Sequence, residues 1–247
     1  MARLGENRYG KSSVRLSRIT RLTDRNEFDE WTVNVMLHGD FEASFTKADN
    51  SKILPTDTMK NTVYFVARNS RATTIEDFAK ELGDYFLDNN PQVTRVSIEV
   101  HEKAWERLIV DGAPDATTFK MGGPELQTVS AVRERNGCWA VISGIDGLTI
   151  LKTTKSAFTG YVVDKLTTLK PTADRIFGTR ATVTWGYAAA APDYAQARAR
   201  IVAALLKDIH NVEFMLGKNL GEAVGFFDGL RLLLRRMLLR VAQAAGI

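Results

Sequence analysis

Cysteine is almost absent: Cys138 is the only one in 247 residues, which excludes an intramolecular disulfide framework. No CxxC pair or Cys/His cluster is present, so the spacing of a zinc site is missing too. A reducing compartment fits that usage. Histidine is scarce: His38 ends an alternating segment, His101 follows one and His210 follows a helical one, and none is assigned a role. GxSxG, the P-loop, GxGxxG ahead of a helix and HExxH are all lacking. No apolar run approaches the ~18 residues of a spanning helix, so no membrane partner is expected. The opening segment Met1 to Lys11 is polar and charged, and Ala245-Gly246-Ile247 is not a Ser-Lys-Leu-type address; the expected location is cytoplasmic. Blocks of like charge are missing as well. The 33 Lys and Arg alternate with 29 Asp and Glu, and a net charge of +4 spread in this way is no argument for nucleic acid.

What is present is enough apolar material, 45% of residues, to bury a core in one or two domains. Strict alternation marks strands with one buried face: Trp31, Val33, Val35 and Leu37 are separated by Thr32, Asn34 and Met36, and Val96, Ile98 and Val100 by Ser97 and Glu99. Val183, Trp185 and Tyr187 repeat the pattern, as do Val14 to Leu22, Gln127 to Arg133 and Trp139 to Ile142 less cleanly. Period two with one polar face predicts antiparallel sheet.

Helical spacing runs through Thr74 to Leu87, with Ile75, Phe78, Leu82, Tyr85 and Phe86 on one face and Thr73 with Glu76 as the capping signal. A second amphipathic helix is predicted from Asp193 to Ile209, with Tyr194, Ile201, Val202 and Leu205 apolar and Pro192 just ahead. Asp57 to Val66 reads as a shorter one. The order of elements predicts an α+β fold in two similar halves, 8–112 and 124–225, joined by a Gly- and Pro-containing linker near Asp111 to Pro124. A Leu/Arg-rich tail, 226–247, follows.

The stretch Asp49-Asn50-Ser51-Lys52-Ile53-Leu54-Pro55-Thr56-Asp57 carries chemistry by its composition: an Asx- and Ser-rich loop runs into a Thr-Asp pair at a helix start. Thr56 or Asp57 reads as an N-cap for orphan N–H groups, and the same hydroxyl in a cleft is able to hold a substrate or oxygen.

Several ordered motifs resemble the urate oxidases. These are Tyr9-Gly10-Lys11, Gly39 to Ala43, Asp49-Asn50, Thr56 to Thr62, Gly144 to Lys152, Ser156-Ala157-Phe158, Asp164 to Leu169 and Asp174-Arg175-Ile176, in order from about Tyr9 to Leu206. That resemblance implies the tunnelling fold (T-fold), two tandem antiparallel-sheet units with helices on one face, in a homotetramer with active sites between subunits. It implies oxidation of urate by O2 to 5-hydroxyisourate and hydrogen peroxide, with no metal or flavin, because the deprotonated substrate itself reduces oxygen. Lys11 and Thr56 would form the proton relay, with Thr56 and Asp57 contacting substrate. Phe158 would stack on the purine ring and Arg175 would clamp its pyrimidine side, roles suited to a flat, electron-rich anion.

Beyond the second long helix the pattern departs from that family. A Val-Gln pair that binds substrate corresponds to Val212 and Glu213 if the register holds, exchanging an amide that donates and accepts for a carboxylate that, ionised, only accepts. The asparagine- and histidine-bearing motif expected later is not found in 210–247, and His210 and Asn211 are the only nearby substitutes. In the tail, Leu230, Leu233, Leu234, Met237, Leu238 and Val241 share a helical face, with Arg231, Arg235, Arg236 and Arg240 elsewhere. A packing or oligomer-contact helix, a membrane-surface helix and the product of a reading-frame change all remain open for it. For the chain as a whole, a purine-binding relic of the fold with impaired catalysis stands beside the oxidase. A zinc-dependent purine or pterin hydrolase does not fit three scattered histidines.

Overall fold

The computed structural model describes residues 4–187 and 192–210. The elements run β1 (Arg8–Arg21), β2 (Asn26–Gly39), α1 (Glu42–Lys47), α2 (Thr56–Asn69), α3 (Ile75–Asn89), β3 (Val93–Val110), β4 (Ala113–Glu134), β5 (Ala140–Lys152), β6 (Phe177–Gly186) and α4 (Tyr194–His210). The strands form one six-stranded sheet in sequence order, with β1 to β5 paired antiparallel to their neighbours. The chain separates into one compact unit within Met1–Leu148 and Ala181–Gly186 and a second within Thr149–Arg180 and Tyr187–Ile247.

In the first unit the alternation seen in the sequence becomes one buried face. Trp31, Val33, Val35 and Leu37 of β2 and Val96, Ile98 and Val100 of β3 are at most 2% exposed and pack beneath α2 and α3. From α3 come Ile75, Phe78, Ala79, Leu82, Phe86 and Leu87; from α2, Met59, Val63, Val66 and Ala67. Full burial of each large apolar side chain stabilises by about 1.5–3 kcal/mol, so this layer supplies most of the unit's cohesion.

Three helix details differ from expectation. The N-cap of α3 is Thr74, whose hydroxyl oxygen accepts from the Asp77 N–H at 3.2 Å, one residue beyond the Thr73–Glu76 pair. Glu76 is instead fully buried and accepts the Ser143 hydroxyl of β5 at 2.6 Å. Tyr85 lies exposed beside Phe65, and Leu87 takes the predicted core place. The short helix α1 was not expected.

The supposed linker is a paired β-ribbon. Asp111 and Gly112, at φ 51° and 81°, form the tight turn between β3 and β4, a geometry with positive φ at both central residues that favours Asp-Gly. Gly122 to Glu125 fall outside the ladder, because the register passes from Trp105↔Met121 to Lys103↔Leu126. Their turn chemistry marks a bulge inside a continuous strand.

Candidate active site

In the first unit, a tyrosine ties β1 to the loop entering α2. The Tyr9 hydroxyl donates to the Leu54 carbonyl at 3.1 Å and accepts from the Leu54 N–H at 2.7 Å, while its ring meets Phe41 edge-on at 4.7 Å. Burial pushes the Tyr9 phenol up, which keeps it protonated as a donor. Lys11 lies two residues beyond Tyr9, and Thr56 two beyond Leu54, so this tie fixes the approach of both. Gly10, between Tyr9 and Lys11, allows the close strand approach: a Cβ there would overlap the Val35 carbonyl oxygen.

Helix α2 starts at Thr56, and its N-cap is Pro55 with no side-chain cap bond. The N-cap expected at Thr56 or Asp57 is therefore displaced by one residue, and the Thr56 hydroxyl takes no part in capping. Asp57 accepts from Lys60 Nζ at 2.5 Å and from Asn61 Nδ2 at 3.0 Å. Its carboxyl is held below the usual range, first by the Lys60 hydrogen bond and charge, with Asn61 and the charge of Lys11 acting in the same direction. Lys60 is correspondingly held above its usual value. Lys11, Thr56 and Asp57 thus come from a strand and a helix start held together by the Tyr9 tie. Lys60 and Tyr9 are partners that sequence reading missed; the i,i+3 spacing of Asp57 and Lys60 was the available signal.

In the second unit Phe158 and Arg175 are also brought together. The Arg175 Cζ stands 4.8 Å from the Phe158 ring centroid, and Tyr161 stacks on the same ring at 4.8 Å and 12°. Phe158 is placed by a two-bond bridge to Thr172, N–H to carbonyl at 2.8 Å and 3.1 Å. Arg175 is placed by its neighbour Asp174, which accepts from the Thr154 hydroxyl at 2.8 Å and the Lys155 N–H at 2.6 Å. Those bonds, the Thr154 hydroxyl first, hold the Asp174 carboxyl below its usual range. Arg175 Nε and the Ser156 hydroxyl oxygen are buried without a hydrogen-bond partner. An orphan donor beside an aromatic face suits a planar ligand rich in acceptors. Tyr161 was missed because it lies in an irregular loop where no periodicity points to it.

Val212, Glu213 and the tail 226–247 lie outside the described residues. Of the histidines, His38 is not a surface residue: it is 5% exposed, with Arg95 at 2.8 Å and Glu6 at 3.1 Å from Nδ1. The His210 carbonyl accepts Lys152 Nζ at 3.0 Å. Among the described residues no three His, Cys, Asp or Glu side chains gather as metal ligands, and no helix is long and apolar enough to cross a membrane.

Known proteins resemble the chain over most of its length. The uricase family model matches residues 7–132 and 141–213. The chain belongs to the uricase family. Uricase-2 isozyme 2 of Canavalia lineata is 41% identical over 184 residues, 74% of this chain and 61% of its own length. The uricase of Arthrobacter globiformis is 40% identical over 205 residues, 83% of this chain and 66% of its own. The crystal structure of the Arthrobacter globiformis uricase superposes with TM-score 0.81 at 32% identity, covering 97% of this chain and 78% of that one. A urate oxidase structure from Bacillus sp. TB-90, at 22% identity and TM-score 0.73, shares the fold. The chain spans about three fifths of the length of the first of these curated relatives. Its antiparallel sheet with helices is the T-fold expected from the sequence.

Proposed function

We propose that the chain binds urate and oxidises it with O2 to 5-hydroxyisourate and hydrogen peroxide. The balance is urate plus O2 plus water: two electrons leave the urate ring for oxygen, which departs as H2O2, and water supplies the new hydroxyl. Lys11 and Thr56 relay the protons, Thr56 and Asp57 contact the substrate, Phe158 stacks on the ring and Arg175 clamps its pyrimidine edge. The observation that carries this reading is the tie that brings Lys11 and the start of α2 together, with the Lys11 charge acting on Asp57. An ammonium, a hydroxyl and a helix N-terminus in one place suit an anion that must be deprotonated and stabilised. For Arg175 to clamp an edge while urate covers Phe158, its guanidinium swings off the ring face. The wider reading includes two tandem units, 8–112 and 124–225, a cytoplasmic location, and a homotetramer with sites between subunits.

A second reading, urate binding without turnover, is favoured if Glu213 stands where the family has its substrate-binding amide, since it then sets a carboxylate beside an anion. The test is the loss of urate absorbance in aerated buffer with purified full chain beside Lys11→Met and Thr56→Ala. Turnover abolished by both substitutions supports the oxidase. No turnover, with urate still raising the unfolding temperature, supports the binding relic.

A further inference from the structure

We propose that the β-bulge at Ser12–Ser13, held by Asn34 and Glu99, is the positioning device that turns Lys11 toward α2; this rests on the proposed role of Lys11. Lys11 pairs with Val35 and Val14 with Val33, so Ser12 and Ser13 together oppose the single residue Asn34. Directly opposed residues share a face, and Val33 and Val35 both lie in the core beneath the helices. Lys11 and Val14 therefore share that face although they are three apart, an odd spacing that regular alternation forbids.

Continuing the ladder from Val14↔Val33 without the bulge would set Lys11 opposite Met36. That register turns Lys11 to the other face of the sheet, away from α2. Inserting one extra residue restores the phase, which is what bulges beside active sites do.

The bulge has a cost and a support. Ser13 sits at φ 59°, a left-handed conformation unfavourable for a serine. Its N–H, left outside the ladder, donates to Asn34 Oδ1 at 2.8 Å, and Asn34 Nδ2 donates to Glu99 Oε2 at 3.1 Å. Asn34 and Glu99 are themselves cross-strand partners, so the chain of bonds runs across three strands. Neither side chain points into the core, so a role in packing does not explain them. They fix which residues of β1 form the bulge, and hence which face Lys11 takes.

The experiment compares the parent, Asn34→Ala, deletion of Ser13, and the deletion in the Asn34→Ala background. Deleting Ser13 removes the need for a bulge: by count Lys11 stays opposite Val35 and Val14 opposite Val33. The first readout is independent of urate: lysines are 13C-methylated, Lys11 is assigned with Lys11→Arg, and its response to Asp57→Asn is followed by NMR. The response is expected in the parent, lost in Asn34→Ala, and present in both deletion variants. The second readout is urate turnover, in which Asn34→Ala lowers kcat by about a hundredfold with KM little changed, as for a misplaced reacting group, and the added deletion recovers most of it. Lack of urate turnover in the parent alone refutes the functional reading, while the NMR arm still decides the positioning. An Asn34→Ala protein that keeps the Lys11 response overturns the proposal. So does a folded Ser13 deletion that loses it, whatever becomes of Asn34→Ala.

Discussion

The residues expected to act on urate come from two regions built on different principles. Lys11, Thr56 and Asp57 belong to a unit whose strands and helices share one continuous buried layer. Phe158 and Arg175 belong to a stretch, 153–176, held by one short bridge and a set of Asx and Thr turns, with Val162, Val163, Leu166, Leu169 and Ile176 largely exposed. In the first region position follows from strand register and core packing; in the second it follows from a few polar bonds. The first therefore resists local change and fails all at once, while the second adjusts cheaply and fails locally.

The strongest way to break that contrast is Phe78→Ala, which empties a fully buried place between α3 and the sheet. It is expected to cost about 3–5 kcal/mol, read as a lower denaturant midpoint with the transition still cooperative. A loss below about 1 kcal/mol would mean the layer is not the cohesive element claimed. Next in size, Arg175→Lys replaces a planar fork by a point charge and is expected to weaken urate binding by about 1.5–3 kcal/mol without moving the unfolding midpoint, measured by calorimetry. A smaller effect on binding, again with the midpoint unchanged, is expected for Asp174→Ala, which releases Thr154 and Lys155.

The smallest effect concerns His38. Burial first, then the Arg95 charge, with Arg8 adding to it, hold its pKa below the ordinary 6.5, and Glu6 opposes them only in part. A depressed histidine means that the unfolded chain binds the extra proton more readily. Stability is thus complete above 6.5 and declines as pH falls from there through the folded value. His38→Gln is expected to flatten that decline in a series of urea titrations; an unchanged slope would contradict it.

How much of this was legible in the sequence depends on the physics involved. Alternation revealed the strand cores because burial on one face leaves a period of two, as in Trp31 to Leu37. Capping was misread by one residue at both α2 and α3, since Thr73 and Thr74, like Pro55 and Thr56, offer adjacent solutions that only backbone geometry separates. Gly122, Gly123 and Pro124 announced irregular backbone correctly, but a bulge within a strand and a linker share the same composition. The resemblance named Lys11, Thr56, Asp57, Phe158 and Arg175. It did not reveal Tyr9 as a tie, Tyr161 as a stacking neighbour, or the odd spacing of Lys11 and Val14 that needs Asn34.

The central proposal is that the chain oxidises urate, and oxygen uptake tests it most directly. Purified full chain in aerated buffer is given urate while O2, urate and H2O2 are followed together. The account predicts one O2 consumed and one H2O2 formed for each urate lost, abolished by Lys11→Met. Urate that protects the fold yet drives no oxygen uptake would contradict it.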